Sequence, residues 1–347
     1  MEPTEQEQAA MHRALALAET VRGHTSPNPA VGAVILDVDG QLVGEGATAP
    51  AGGPHAEVSA LAAAGERARG GTAVVTLEPC AHHGRTGPCA DALIQAGVAR
   101  VVFAVIDPNP EAAGGAERLA EAGIAVHGGV EEHAAASGAL RPWLHSVRSG
   151  RPFVTWKYAA TLDGRAAAAD YSARWISSAA SRADAHALRA VVDAIMVGSG
   201  TVLADDPHLT VRDDDIPALH QPLRVVLDRR HRVPDDARVL DHAAETVVLD
   251  TAAPAFALKA LHDRGVRHVL LEGGPTLAGA FIEARCVDEV VVYLAPKLLG
   301  SGPPALGEAG IETLTDAAVL DIESVSRLGG DVKLVARPRW SEQATED

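Results

Sequence analysis

Apolar residues recur along the first 130 positions in alternating rhythms of helix and strand. Ala10, Ala14, Leu17 and Val21 fall on one helical stripe, which predicts a helix over Gln6–Val21. A turn-rich stretch, Gly23 to Pro29, leads into the apolar run Val31–Leu36, and Asp39-Gly40 turns the chain into a second strand, Leu42–Gly46. Beyond Gly52-Gly53-Pro54 the pattern predicts a helix from His55 to about Ala64, a strand Ala73–Leu77, a helix Ala90–Ala96 and a strand Val101–Ile106. A helix near Ala116–Ala122 and a strand Ile124–His127 complete an α-β-β-α-β-α-β-α-β order, which predicts a three-layer α/β sheet with helices on both faces.

The pattern restarts near Arg148-Ser149-Gly150-Arg151-Pro152, where a domain boundary is expected. This divides the chain into domains 1–148 and 149–338, with a polar tail, 339–347, expected to fray. A strand run follows at Phe153–Ala159, and further runs at Ala194–Val197, Leu223–Leu227, Thr246–Leu249, His268–Leu271 and Glu289–Leu294 are expected to be separated by helical stretches. Near-continuous apolar strands predict a mostly parallel sheet covered on both faces. The segment Val319–Val335 reads as a closing antiparallel hairpin around Gly329-Gly330.

Composition narrows the picture. The 347 residues suit two domains. Net charge is −16 and falls as −8 on residues 1–150 and −8 on residues 151–347. No cluster of Lys and Arg is present to neutralise phosphates, so no nucleic-acid partner is expected. No run approaches the roughly 18 apolar residues of a membrane span, and the opening MEPTEQEQ lacks the regions of a signal peptide. A cytoplasmic protein with no membrane association is expected.

Three cysteines cannot form a disulfide framework in such a chain. Cys286 reads as a small buried hydrophobe, whereas Cys80 and Cys89 close the stretch PCAHHGRTGPC. Pro54 suits a helix entry and places His55 in the first turn, with Glu57 two residues on and pointing in another direction. One imidazole and two thiolates leave zinc an open position for water, and an unligated glutamate can take the water proton and deliver it to a ring nitrogen and a departing amine. His55-x-Glu57 with Pro79-Cys80 fits the first parts of the zinc nucleobase-deaminase pattern, but the second cysteine arrives six residues late. Cys89 opens a helix, whose positive end favours a thiolate. A structural zinc, no metal, or His82 or His83 replacing a cysteine remain the alternatives.

The second half has no G-x-G-x-x-G after a first strand. It has Gly198-Ser199-Gly200-Thr201 and Glu272-Gly273-Gly274-Pro275-Thr276, each after a predicted strand and before a helix. Backbone N–H groups there can meet phosphates. Taken alone each signal is weak, because such glycines also serve as plain turns.

The strings TSPNPAVGAVI, PHAEVSAL, TLEPCAHHGRTGPC, DALIQAGVARVVFAVIDPNP, TLDGR, TVLADDP, LEGGPTLAGAFI and YLAPKLLG resemble the bacterial bifunctional riboflavin-biosynthesis family of RibD type, from Thr25 to Gly300. The resemblance implies a cytidine-deaminase-like three-layer α/β/α domain followed by a dihydrofolate-reductase-like α/β domain. It implies hydrolytic deamination of 2,5-diamino-6-ribosylamino-4(3H)-pyrimidinone 5′-phosphate, then NADPH-dependent reduction of the ribosyl chain of the aminouracil to ribityl. It assigns one Zn²⁺ to His55, Cys80 and Cys89, with Glu57 as proton shuttle, and in that family the long cysteine spacing is normal. Asn28, His82, His83, Arg85 and Thr86 would meet the first substrate, Arg85 near its phosphate. Ala159, Trp175, Thr201, Asp205, Gly274, Pro275, Thr276, Leu277, Ala278, Gly279 and Ala280 would contact NADPH. Lys157, Arg189, Leu209, Arg212 and Glu272 would face the second substrate, with Lys157 and Asp205 the candidates for assisting protonation. Two departures stand out: Thr48 replaces a frequent histidine, and Ala173 replaces a frequent serine whose contact passes to Ser172 or is lost. A homo-oligomer, dimer or tetramer, is implied through the second half. A deaminase with a degenerate or differently specific reductase, and a non-catalytic zinc-stabilised binding protein, are the rival readings.

Overall fold

The computed structural model describes residues 2–82, 87–170, 176–213, 216–218 and 220–340. Two compact units divide between Arg151 and Pro152. In the first, α1 (Glu5–Glu19) is started by a reciprocal cap. The Thr4 hydroxyl accepts from the Glu7 amide at 3.2 Å while the Thr4 amide donates to the Glu7 carboxylate at 2.8 Å. Strands β1 (Gly32–Leu36), β2 (Leu42–Ala47), β3 (Thr72–Leu77), β4 (Arg100–Val105) and β5 (Ala125–His127) form a sheet ordered β2-β1-β3-β4-β5. β1 pairs antiparallel with β2 and β3, and the β3–β4–β5 part is parallel. Helices α2 (Ala56–Ala64), α3 (Cys89–Ala96) and α4 (Gly115–Glu121) alternate with these strands.

Glycines set the layer spacing. A Cβ on Gly32 would stand 1.9 Å from the Ala14 carbonyl oxygen of α1, and one on Gly46 would stand 2.3 Å from the Ala56 carbonyl oxygen of α2. Gly46 lies opposite Ala33 in the ladder, so it faces the other side of the sheet from Gly32. The first and second helices therefore sit on opposite faces, as the alternating pattern predicts.

Helix α2 starts one residue later than predicted, because His55 is its extended N-cap, with φ −72° and ψ 162°. Helices α5 (Glu132–Ser137) and α6 (Arg141–Ser149) were not predicted: Gly138 and Pro142 interrupt the periodic pattern before it completes.

The second unit is built on an eight-stranded sheet. Its strands are β6 (Phe153–Thr161), β7 (Ala194–Gly198), β10 (Leu223–Leu227), β11 (Thr246–Leu249), β12 (His268–Leu271), β13 (Glu289–Ala295), β14 (Val319–Leu328) and β15 (Asp331–Arg339). A separate two-stranded ribbon, β8 (Arg212–Asp213) and β9 (Ile216–Pro217), is too short for periodicity to reveal. The order β11-β10-β7-β12-β6-β13-β15-β14 is parallel from β11 to β13 and antiparallel over the last three strands. Helices α7 (Ala179–Ala190), α8 (Ser199–Asp205), α9 (Pro254–Asp263) and α10 (Pro275–Glu283) connect them. Val154, Met196, Val225, Leu258, Val269 and Phe281 lie in one core, and Ile195, Val226 and Leu270 lie in another. Alternate residues of the same buried strands thus supply both cores, the mark of a sheet covered on both faces.

Candidate functional site

In the first unit, His55 ends the loop before α2, Cys80 follows β3, and Cys89 opens α3. The chain crossing from strand to helix thereby brings three donors together. His55 Nδ1 lies 3.8 Å from Cys80 Sγ and 3.3 Å from Cys89 Sγ, and the three ligand atoms are all within 4.8 Å of one another. Ligands of a tetrahedral zinc stand about 3.6–3.8 Å apart, given bond lengths of about 2.0–2.3 Å. The soft donor set and its spacing fit that ion, which would be held by these three residues. His82 is not part of this cluster among the described residues.

The Cys89 amide at the head of α3 donates to Cys80 Sγ at 3.4 Å. Hydrogen bonds from Cys89 and His55 outweigh burial and hold the Cys80 thiol well below the usual thiol range. The Cys89 thiol is pushed up by its hydrogen bond with Cys80 and by its own burial. Glu57, 4 % exposed, is pushed up to about 7 by burial. A carboxyl poised there can accept and return a proton near neutral pH.

His55, Glu57 and Cys80 open into a cavity of about 320 Å³ that Asn28, Thr48 and His82 also line. His82 Nδ1 is buried without a hydrogen-bond partner among the described residues, which suits it to meet a ligand in the cavity. The Thr48 hydroxyl instead accepts from the Val31 amide at 3.1 Å, a bond spanning the two strand ends. His83, Arg85 and Thr86 lie outside the described residues, as do Ser172, Ala173 and Trp175.

Sequence reasoning assigned no role to Glu78, Asp107, Asn109 or Trp143, all of which line the cavity. The Glu78 carboxylate accepts from the Asp107 amide at 3.2 Å and from the Ala116 amide at 2.9 Å, fixing the loops after β3 and β4. Asp107 is pushed up to about 6, chiefly by burial. The available signal was their place: each acid immediately follows, or nearly follows, a parallel strand at its carboxyl end, where ligands of α/β sheets bind.

In the second unit, β7 and β12 are neighbours, so the two glycine turns after them lie side by side. A Cβ on Gly274 would come within 3.7 Å of the Thr201 hydroxyl. Gly274, Pro275 and Thr276 form the accessible start of α10, and Thr201 and Asp205 belong to α8. Ala280 and Leu277 are half-buried. Ala278 is wholly buried in the core, and Gly279 packs where a Cβ would stand 1.9 Å from the Glu308 carbonyl oxygen. Their side-chain positions serve packing, which leaves the first turn of α10 as the part open to a ligand. Ala159 is half-buried on β6.

Glu272 is gripped by Arg189 through Nε (2.6 Å) and Nη2 (2.9 Å), with Lys157 Nζ at 3.9 Å. Burial opposes its charge, but Arg189 and Lys157 prevail and hold the carboxyl at about 2. Arg189 also donates to the Thr210 carbonyl at 3.4 Å, beside Leu209. Leu209 is buried with φ +52°, a conformation that costs a non-glycine residue about 1–2 kcal/mol. The segment is tied on both sides. Gln221 exchanges two 2.8 Å bonds with Val211, and the fully buried Arg224 donates to the His208 carbonyl (3.2 Å) and to Asp241 (2.7 Å). Arg212, the first residue of β8, lies just beyond Val211 in the same segment. The structure thus draws Lys157, Arg189 and Glu272 into one contact and ties Arg189 to the segment carrying Leu209 and Arg212.

Residues 152–334 match the RibD C-terminal domain model, and residues 4–105 match the cytidine and deoxycytidylate deaminase zinc-binding region. The chain is 52 % identical to the riboflavin biosynthesis protein RibD of Mycobacterium tuberculosis, over 94 % of this chain and 97 % of the relative. It belongs to the RibD family. The RibD of Escherichia coli is 43 % identical, over 95 % of this chain and 98 % of that one. The structure of Acinetobacter baumannii RibD superimposes with a TM-score of 0.89 at 39 % identity, covering 97 % of this chain and 99 % of that one. A Thermotoga maritima structure, a diaminohydroxyphosphoribosylaminopyrimidine deaminase/5-amino-6-(5-phosphoribosylamino)uracil reductase, has a TM-score of 0.89 at 33 % identity, covering 96 % and 99 %. As a RibD-family protein the chain is a bifunctional enzyme of riboflavin biosynthesis, a zinc-dependent deaminase followed by an NADPH-dependent reductase.

Proposed function

We propose that the first unit deaminates 2,5-diamino-6-ribosylamino-4(3H)-pyrimidinone 5′-phosphate and that the second reduces the ribosyl chain of the resulting aminouracil to ribityl. The observation that carries the reading is the convergence of His55, Cys80 and Cys89 at the edge of a cavity lined by His55, Cys80 and the buried Glu57. A zinc ion held there supplies the Lewis acidity that brings a water proton within reach of a base near neutral pH. Glu57 would pass that proton to the ring nitrogen beside the reacting carbon, then carry the second proton, from the hydroxyl added to that carbon, to the amino group, which leaves as ammonia as the carbonyl forms. Asn28 and His82, with His83, Arg85 and Thr86, receive the pyrimidine and its ribose phosphate.

NADPH supplies hydride to the second step. Ala159, Trp175, Thr201, Asp205 and the accessible start of the 274–280 segment would hold it, the first turn of α10 nearest its phosphates. Lys157, Arg189, Leu209, Arg212 and Glu272 orient the ribosyl substrate, the arginines through forked bonds to phosphate. The deaminase is assigned to residues 1–148 and the reductase to the domain that follows, whose last strand, β15, includes Arg339 and is continued by Trp340, its indole donating to the Val287 carbonyl at 3.0 Å, so the expected polar tail begins no earlier than residue 341. The enzyme works in the cytoplasm as a homo-oligomer. The exposed edge strand β14 supports a self-associating surface: Leu320, Ile322 and Val325 pair with Pro338, Ala336 and Leu334, alternate residues of β15, and so share one face. The described residues include no helix long and apolar enough to cross a membrane.

The test is direct. Purified enzyme given the diamino substrate and NADPH should release ammonia and oxidise the cofactor, and Glu57→Ala should stop ammonia release while still reducing supplied aminouracil. Ammonia release that survived Glu57→Ala would refute the assigned proton route.

A further inference from the structure

Helix α7 carries a histidine that the family resemblance leaves unassigned. His186 precedes Arg189 by three residues, the spacing that sets two side chains next to each other on a helix surface. Its Nδ1 is buried and has no hydrogen-bond partner among the described residues. A buried polar atom in that condition is destabilising, and native structures hold few of them. Asp184, on the preceding turn, is engaged elsewhere: it accepts from the Tyr293 hydroxyl at 2.5 Å and the Lys333 ammonium at 2.6 Å.

The charges that act on the His186 ring are Arg189, Glu272, Arg212 and Lys157. These are three cations and one carboxylate, an excess of positive charge that suits an anionic group. Burial, and then Arg189, lower the ring below its ordinary value, so it is a neutral imidazole near pH 7 with one N–H to donate. Such a group adds a directed hydrogen bond where the neighbouring cations supply the field.

We propose that His186 is a further substrate contact of the reductase, its Nδ1–H donating to an oxygen of the substrate's phosphate alongside the guanidinium groups of Arg189 and Arg212. The inference rests on the reading of Arg189, Arg212, Lys157 and Glu272 as substrate contacts. It gives a donor fixed on a helix a part in selecting a phosphorylated substrate.

The experiment compares His186→Phe, which keeps ring volume without a donor, with His186→Gln, which keeps an N–H. His186→Phe should raise KM for the phosphorylated aminouracil about tenfold, the worth of one hydrogen bond to a charged group. In that variant kcat and the NADPH dissociation constant should stay within about twofold. His186→Gln should recover most of the loss, and with the phosphate-free substrate the variants should match wild type. An unchanged KM in His186→Phe, an equal loss with the phosphate-free substrate, or no recovery in His186→Gln would overturn the proposal. Inorganic phosphate titrated into the wild-type enzyme should move the ¹⁵N resonance of the His186 ring. If phosphate moved it while the enzyme failed to reduce the aminouracil, the reading of the site would fall and the contact would stand. An active enzyme whose His186 resonance ignored phosphate would sink the contact alone.

Discussion

Acidification should strip the second unit of a stabilisation that resides in Glu272. This carboxyl is held at about 2, against an ordinary value of 4.5, by the bidentate grip of Arg189 and by Lys157, in spite of burial. At about 1.4 kcal/mol per pKa unit, that difference corresponds to about 3 kcal/mol of folding stability. Because the folded state binds the proton more weakly than the unfolded state, the contribution is complete above 4.5 and is lost as pH falls through 2. Removing the charge while keeping the shape, Glu272→Gln, isolates the term. Urea titration followed by hydrogen exchange of the β12 amides reads the unfolding of the second unit separately from that of the first. The stability difference between wild type and Glu272→Gln should shrink by about 2 kcal/mol between pH 7 and pH 3. A difference that stayed flat across that range would refute the electrostatic account of this pair. Arg189→Leu at pH 7 gives a second reading of the same balance, with an expected loss of about 3–5 kcal/mol from a buried carboxylate left with one distant cation.

Three further outcomes are expected. Gly46→Ala places a methyl 2.3 Å from the Ala56 carbonyl oxygen, so thermal unfolding should show a loss of about 1–3 kcal/mol, and a competing chelator should show weaker zinc affinity because α2 positions His55 and Glu57. Removing zinc with a chelator should abolish ammonia release yet leave far-ultraviolet circular dichroism and NADPH oxidation on supplied aminouracil intact, since the cluster sits on elements with their own core. Ile322→Lys, on the exposed edge strand, should lower the sedimentation mass of the enzyme toward that of a single chain.

The His55, Cys80 and Cys89 cluster was legible because each donor sits at an element boundary that local chemistry writes into the sequence: Pro54 before His55, an apolar strand before Cys80, Pro88 before Cys89. The alternating strands and helices, and the closing hairpin, were legible for the same reason, since burial on two faces leaves long apolar runs. Glu78 and Asp107 were harder to read. Their importance lies in a hydrogen bond between loops 29 residues apart, which no periodicity encodes. Trp143 sits on a helix whose pattern Gly138 and Pro142 obscure, and only the fold carries it to the cavity. The stretch 274–280 looks uniform as a motif, yet helix geometry leaves Gly274 to Thr276 accessible and turns Ala278 and Gly279 to packing. Arg224 reads as an ordinary strand residue in the sequence. Burial makes it the hub that holds His208 and Asp241 beside Leu209.

The central claim is that one chain deaminates at His55, Cys80, Cys89 and Glu57 and reduces at a separate NADPH site. The most direct measurement follows ammonia release and NADPH oxidation together in wild type and Glu57→Ala, with zinc quantified in each. The account predicts about one zinc per chain in both proteins, ammonia from wild type only, and NADPH oxidation by both when aminouracil is supplied. Ammonia from the zinc-loaded Glu57→Ala protein at the wild-type rate would contradict it.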